Sequence, residues 1–117
     1  MKDDSETEYE LGAKAFREGR AGEGAEHLRR AAFAGHAEAQ NQLARIYFAQ
    51  TRSRDDIGRL EAAAQSGDHV AMFVLAMCFI DGKLIDKDTD KAMTVLQHAA
   101  KRGNLMAASM LRGTQAS

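Results

Sequence analysis

Several residue types that usually shape a small protein are scarce or missing here. The sequence has no proline, no tryptophan and a single cysteine, Cys78, among 117 residues. One cysteine excludes an internal disulfide and a zinc site built on four thiolates. The absence of proline removes the strongest helix breaker, and alanine occurs 22 times. This composition favours helices over strands and turns.

Neither a dominant charge nor a long apolar run is present. The 16 Lys and Arg side chains nearly balance the 17 Asp and Glu side chains, which argues against a nucleic-acid partner held by bulk positive charge. No apolar run approaches the roughly 18 residues of a membrane span. The first residues are polar, so no signal peptide is predicted. We expect one globular domain over residues 1–117, located in the cytoplasm and without a membrane partner.

The sequence repeats one pattern three times. The pattern is Leu-x-x-Ala-Ala-x-x-Gly, with its leucines at positions 28, 60 and 96 and its glycines at positions 35, 67 and 103. Glycine at the end of a helix adopts the left-handed conformation without steric cost, so each copy predicts a helix ending at its glycine. Asp68 and Asn104 follow two of these glycines as candidate N-caps of the next helix. His36 occupies the third such position and is a poorer cap.

A second pattern follows each of these glycines. It reads Ala-x-x-x-Leu and covers residues 39–43, 71–75 and 107–111. Apolar residues four apart mark one face of a helix, so each unit is predicted to be an A helix followed by a B helix. The predicted helices cover about residues 8–18, 23–34, 37–49, 54–66, 69–80, 89–102 and 105–112. No single pair can bury its apolar face alone, so the pairs are expected to stack in order.

These patterns resemble the Sel-one-like repeat, a relative of the tetratricopeptide repeat. The best copy consists of Gly82, Asp88-Thr89-Asp90-Lys91-Ala92, Leu96, Ala99-Ala100, Gly103 and Ala107. The resemblance implies an all-α, right-handed α-solenoid of stacked antiparallel helix pairs, with about three repeats and a terminal helix. It also implies protein binding, and it does not imply catalysis. The middle copy departs from the pattern, because Asp56-Ile57 replaces Lys-Ala and the loop at residues 51–54 is short and lacks glycine.

The candidate chemical motifs all have plainer explanations. The run Asp86–Asp90 starts like a calcium loop, but Lys91 and Gln97 occupy the positions that need glycine and glutamate. We therefore predict that Asp88 caps a helix instead. Cys78 lies in an apolar run without a basic neighbour, which predicts a buried structural thiol. The four histidines lack metal-ligand spacing and no nucleophile motif occurs, so we predict no catalytic residue, metal or cofactor.

The helix face opposite the leucines of the second pattern, such as Leu43 and Leu75, is the predicted binding surface. Residues two before and two after such a leucine lie roughly 160° around the helix, at about 100° per residue. We assign partner binding to Tyr9, Asn41, Arg45, Phe73 and Met77, with Met110 extending the surface. Aromatic, Met and Arg side chains suit the centre of an interface. The alternative is that neighbouring repeats bury part of this face, above all Phe16, Phe48 and Ile80.

The partner is expected to be another protein that contributes a peptide or a helix. A cytoplasmic adaptor or regulator is the first hypothesis. An immunity-type inhibitor of a toxin or effector is the second, and a hydrolase is the third, although no nucleophile–base set is visible. The predicted C-terminal helix has no B helix after it, so self-association through that helix is a further possibility.

Overall fold

Helices are the only regular secondary structure in the described part of the chain. A computed structural model describes residues 3–116, with side chains for residues 3–113. These residues form seven α-helices and no strand: α1 (Asp4–Arg17), α2 (Ala21–Phe33), α3 (Ala37–Gln50), α4 (Arg54–Gln65), α5 (His69–Asp81), α6 (Thr89–Lys101) and α7 (Leu105–Ala116). The prediction of seven helices is confirmed. Within residues 3–116, no helix combines the length and the apolar character that crossing a bilayer would require.

Two helix ends lie further out than predicted. Helix α1 begins four residues early, because the Asp3 carboxylate accepts a hydrogen bond from the backbone N–H of Glu6 at 2.9 Å. Acidic side chains in the first turn also favour the positive end of the helix. This segment has no apolar periodicity, so apolar spacing places the start of the helix too late. Helix α7 likewise continues to residue 116.

Four of the turns between helices share one design. Each has three residues with glycine in the middle, and the residue after the glycine donates its N–H to the carbonyl five residues earlier. His36 bonds to Ala31 in this way at 3.0 Å, and Asp68 bonds to Ala63 at 3.0 Å. This arrangement is the Schellman motif, and the glycines have φ between 78° and 103°. The predicted glycine ends are thus confirmed.

The predicted N-caps are confirmed as well. The Asp68 carboxylate accepts the N–H groups of Val70 and Ala71 at 3.0 Å, and the Asn104 side-chain oxygen accepts that of Ala107 at 2.9 Å. His36 also caps its helix through Nδ1. Asp88 caps α6, as predicted, by accepting the N–H of Lys91 at 3.0 Å.

The middle pair of helices departs from sequential pairing. Helix α1 packs against α2, and α5 packs against α6, but α4 packs mainly against α5, while α3 packs against α2 and α5. The connection between α3 and α4 has no glycine turn. Instead Ser53, with extended backbone, forms a capping box with Asp56 at the start of α4. Without the reversing turn, α4 is not directed back along α3.

Helix α5 is the centre of the core. All of residues 69–76 are buried, and the helix contacts α3, α4 and α6. A helix that is apolar on every side is typical of such a central position. The repeat leucines on the neighbouring helices are buried, as predicted. At the N-terminal end, the ring of Phe16 covers Gly24, where a β-carbon would lie 2.9 Å from the ring. Gly24 is therefore explained by helix packing.

Candidate functional site: the A-helix face and the cleft between α3 and α4

The six predicted binding residues differ widely in accessibility. Arg45 and Met110 are exposed, Tyr9, Asn41 and Met77 are half-buried, and Phe73 is buried. Five of them lie on the A helices α1, α3 and α5, and Met110 lies on α7. We call the outer side of α1, α3 and α5 that carries Tyr9, Asn41, Arg45, Phe48 and Met77 the A-helix face.

Tyr9 connects α1 to the start of α3. Its ring stacks on the His36 ring with centroids 4.4 Å apart and planes 18° apart. Its hydroxyl accepts a hydrogen bond from the side-chain amide of Gln42 at 2.8 Å. Tyr9 therefore holds two A helices together and leaves only part of its ring for another molecule.

Phe73 is part of the core, which corrects the expectation that its ring is open to a partner. The residue is 8% exposed, and the ring of Phe48 lies edge-on against it with centroids 6.4 Å apart. The reason is that α3 packs on α5 through this face. Phe48, whose burial between neighbouring repeats was the alternative interpretation of this face, is 43% exposed. Phe48 is therefore the aromatic side chain that is accessible on this face, and the buried ring of Phe73 packs against its inner side.

Arg45 lies beside Phe48 on the same helix. Residues three apart share one face of a helix, so the two side chains leave α3 on the same side. Arg45 is exposed. Its side chain forms no hydrogen bond or ion pair with any other side chain within residues 3–113. Asn41 lies one turn earlier on α3. An apolar ring and an available cation thus occur together at this point of the A-helix face.

Helix α7 reaches the fold through its first residues. The N–H of Leu105 donates to the side-chain oxygen of Gln40 at 2.8 Å. Leu105 and Met110 are both exposed on α7. Self-association through this helix stays a prediction.

A concave region elsewhere on the chain was not predicted from the sequence. It is a cleft of about 490 Å³ between the end of α3 and the beginning of α4. Its lining consists of Tyr47, Ala49, Gln50, Thr51, Arg52, Asp56, Arg59, Leu60 and Ala63. The only indication of it in the sequence is the missing glycine in the loop at residues 51–54.

One wall of this cleft is fixed by Tyr47. Its hydroxyl donates to the Asp68 carboxylate at 2.5 Å, and the other oxygen of Asp68 caps α5. Burial and this neighbouring carboxylate together raise the pKa of Tyr47 well above its ordinary range. Thr51 also donates its hydroxyl to the Tyr47 carbonyl at 2.6 Å. The end of α3 is therefore tied both to its own loop and to the turn before α5.

The opposite wall is fixed by Asp56. Its carboxylate accepts the backbone N–H of Arg52 at 2.8 Å and that of Ser53 at 3.0 Å. The guanidinium of Arg59 lies 3.5 Å from it. The hydrogen bond from Arg52 is the main reason why the pKa of Asp56 is lowered. This carboxylate is charged and already has partners.

The single thiol does not line the cleft. Cys78 is buried in α5, as predicted. Burial, with a smaller effect of Asp81, raises the pKa of its thiol. A thiol that stays protonated is a poor nucleophile.

Comparisons of the chain with protein-family models, with curated proteins and with solved structures found no match.

Proposed function

We propose that this chain is a non-catalytic interaction module that binds a peptide or helix of another protein on its A-helix face. The proposal includes a Sel-one-like right-handed α-solenoid of about three repeats and a terminal helix. The shared design of the four glycine turns supports it, because a recurring turn is what stacked repeats require. The splayed pair α3 and α4 is a departure from the regular stack.

One observation carries the binding proposal: the exposed ring of Phe48 packs edge-on against the buried ring of Phe73. The exposed side chain of Arg45 leaves the same face of α3 three residues earlier. Aromatic and Arg side chains are enriched among the residues that dominate binding energy. A rigidly supported ring also loses little conformational freedom when a partner covers it. The matching partner segment presents an apolar side chain close to an acidic one.

The absence of catalysis and the cytoplasmic location belong to the same proposal. The support is the state of Cys78, which is unpaired and buried with a raised pKa. Unpaired thiols are typical of proteins in reducing compartments such as the cytoplasm. Cell fractionation with an antibody to the chain tests the location.

The chain offers a matched control for the binding test. Phe33 is 44% exposed, almost the same as Phe48, and its ring also lies against a buried aromatic side chain, that of His69. Phe33 lies on α2, a B helix, and therefore outside the A-helix face. Phe33→Asp and Phe48→Asp thus make the same chemical change at similar exposure.

The experiment compares the proteins retained from a lysate by the immobilised wild-type chain and by these variants. We expect a protein that is retained by the wild type and by Phe33→Asp, and lost with Phe48→Asp and with Arg45→Glu. Circular dichroism checks that each variant keeps its helices. Retention by all four chains, or loss with Phe33→Asp as well, would contradict binding through the A-helix face.

A further inference from the structure

The cleft between α3 and α4 is a preformed cavity. Its walls are held by two separate sets of hydrogen bonds, one centred on Tyr47 and Asp68 and the other on Ser53 and Asp56. Its volume of about 490 Å³ lies within the roughly 300–1,000 Å³ usual for pockets that take small ligands. The cavity therefore does not need to be opened by a ligand.

The floor of the cleft is apolar. Leu60 is buried, and Ala63 and Tyr47 are half-buried. The hydroxyl of Tyr47 is already committed to Asp68, so the tyrosine contributes mainly its ring. A floor of this kind favours an aliphatic or aromatic group.

The rim of the cleft has an excess of positive charge, because it carries two arginines and only Arg59 is paired, with Asp56 at 3.5 Å. Arg52 and Arg59 both line it, whereas Asp56 is the only acidic residue in the lining. That carboxylate accepts three hydrogen bonds from the loop before α4, two from backbone N–H groups and one from the Ser53 hydroxyl. Arg52 uses its Nε to bond the Ala49 carbonyl, and its terminal nitrogens make no hydrogen bond to residues 3–113. The rim therefore has N–H donors and a net positive charge.

We propose that this cleft binds an apolar carboxylate, with the apolar group on the floor and the carboxylate on Arg52 and Arg59. A guanidinium donates two parallel hydrogen bonds to a carboxylate, which makes it the best side chain for this purpose. The same chemistry is present in a free aliphatic or aromatic acid and in the carboxyl terminus of a peptide that ends in an apolar residue. The cleft lies between an A helix and a B helix, so this proposal is independent of binding on the A-helix face.

The test is to titrate probe molecules into the full chain and to monitor binding by the chemical shifts of the backbone amide NMR signals. The probes are 3-phenylpropionate, its neutral amide, and N-acetyl-alanyl-phenylalanine with a free carboxyl terminus. We expect shifts confined to the end of α3 and the start of α4 with both acids and none with the amide. If the dipeptide binds about tenfold more tightly than 3-phenylpropionate, the ligand of the cleft is the carboxyl terminus of a peptide. If 3-phenylpropionate binds equally or more tightly, the ligand is a small-molecule acid.

The matched variants are three arginine substitutions. Arg59→Gln and Arg52→Gln should each weaken binding of 3-phenylpropionate about tenfold or more, because each removes a charged hydrogen bond. Arg54→Gln removes the same charge from the first residue of α4, which does not line the cleft, and should leave binding unchanged.

A second pair of variants tests the cavity itself. Ala49 lines the cleft and is exposed, so Ala49→Leu should occupy the cavity, abolish binding and leave the fold intact. Ala62→Leu, on an exposed position of α4 outside the lining, is its control. The proposal is overturned by an absence of shifts at millimolar acid, by equal binding of the acid and the amide, or by equal losses with Arg54→Gln and Arg59→Gln.

Discussion

Gln40 and Leu105 are 65 residues apart in the sequence and are joined by a hydrogen bond of 2.8 Å from the backbone of α7 to a side chain of α3. The amide nitrogen of the same side chain donates to the carbonyls of Ala32 and Gly103 at 3.0 Å. Gln40 is fully buried, so every polar atom of its side chain has a protein partner. One side chain thereby connects the end of α2 to the turn before α7.

Replacing Gln40 should destabilise the fold strongly. Gln40→Met keeps the volume of the side chain and removes three hydrogen bonds to backbone groups, one of them buried and two partly buried. An unsatisfied buried polar group costs about 1–3 kcal/mol, and we expect a loss of about 3 kcal/mol of unfolding free energy after partial relaxation. Chemical denaturation measures this loss. Gln42→Met, which removes a bond to Tyr9 at a half-buried position, is the control and should cost less than about 1 kcal/mol.

Two glycine-to-alanine substitutions should have opposite effects on stability. Gly103 has φ of +103°, and the space that a β-carbon would occupy there is open, so alanine meets only backbone strain. Gly103→Ala should destabilise by about 1–2 kcal/mol. Gly58 lies within α4 with similar open space, and Gly58→Ala should stabilise by about 0.5–1 kcal/mol. Melting temperatures that shift in the same direction for both variants would contradict this assignment of the turn.

The helices were predictable because the features that define them are local. A glycine and the cap after it fix the end of one helix and the start of the next within a few residues. Gly67 with Asp68 and Gly103 with Asn104 therefore gave their boundaries directly. The same reasoning missed the early start of α1, which depends on the cap at Asp3 and not on apolar spacing.

The binding surface was predicted less well because it depends on packing between distant helices. The angle around α5 placed Phe73 opposite Leu75, but α3 packs against that side. The sequence did contain a warning, since residues 70–80 are apolar on every side and such a helix is usually buried. Gln40 was missed for the same reason, because a buried amide is recognisable only once its partners are known.

The repeat leucines should differ in their contribution to stability. Leu96→Ala and Leu60→Ala each remove a buried side chain, a change that usually costs about 2–5 kcal/mol. Leu96 is 1% exposed within the packed core, so we expect a loss near the upper end of that range. Leu60 lines the cleft between α3 and α4, so fewer contacts are lost and the cost should lie near the lower end. A loss at Leu96 that is below about 0.5 kcal/mol, or smaller than the loss at Leu60, would contradict the packing described for α6.

The stability of the fold should fall in mild acid because of His69. This residue is buried, and its Nδ1 lies 3.3 Å from the side-chain nitrogen of Asn104. The Asn104 oxygen accepts the N–H of Ala107, so its nitrogen is the donor and Nδ1 is the acceptor. The proton of the neutral ring is therefore on Nε2, which has no hydrogen-bond partner among the described residues. A second proton on Nδ1 would face a donor.

The direction of the pH effect follows from the pKa of His69. Burial lowers this pKa, Arg102 adds to the effect, and Asp68 opposes it. The unfolded chain takes up a proton near the ordinary value of about 6.5, whereas the folded chain does so only at lower pH. Between these two values the unfolded state binds more protons, so the free energy of unfolding decreases as the pH falls below about 6.5.

Melting temperatures between about pH 7.5 and pH 5 measure this effect. We expect the wild type to lose stability over this interval and His69→Phe, which cannot take up the proton, to lose less. His98 is exposed on α6, so His98→Gln should keep the wild-type dependence on pH. If His69→Phe and the wild type follow the same curve, the burial of a neutral His69 at the junction of α5 and α7 does not govern acid stability. If only His98→Gln flattens the curve, the titrating group is on the surface.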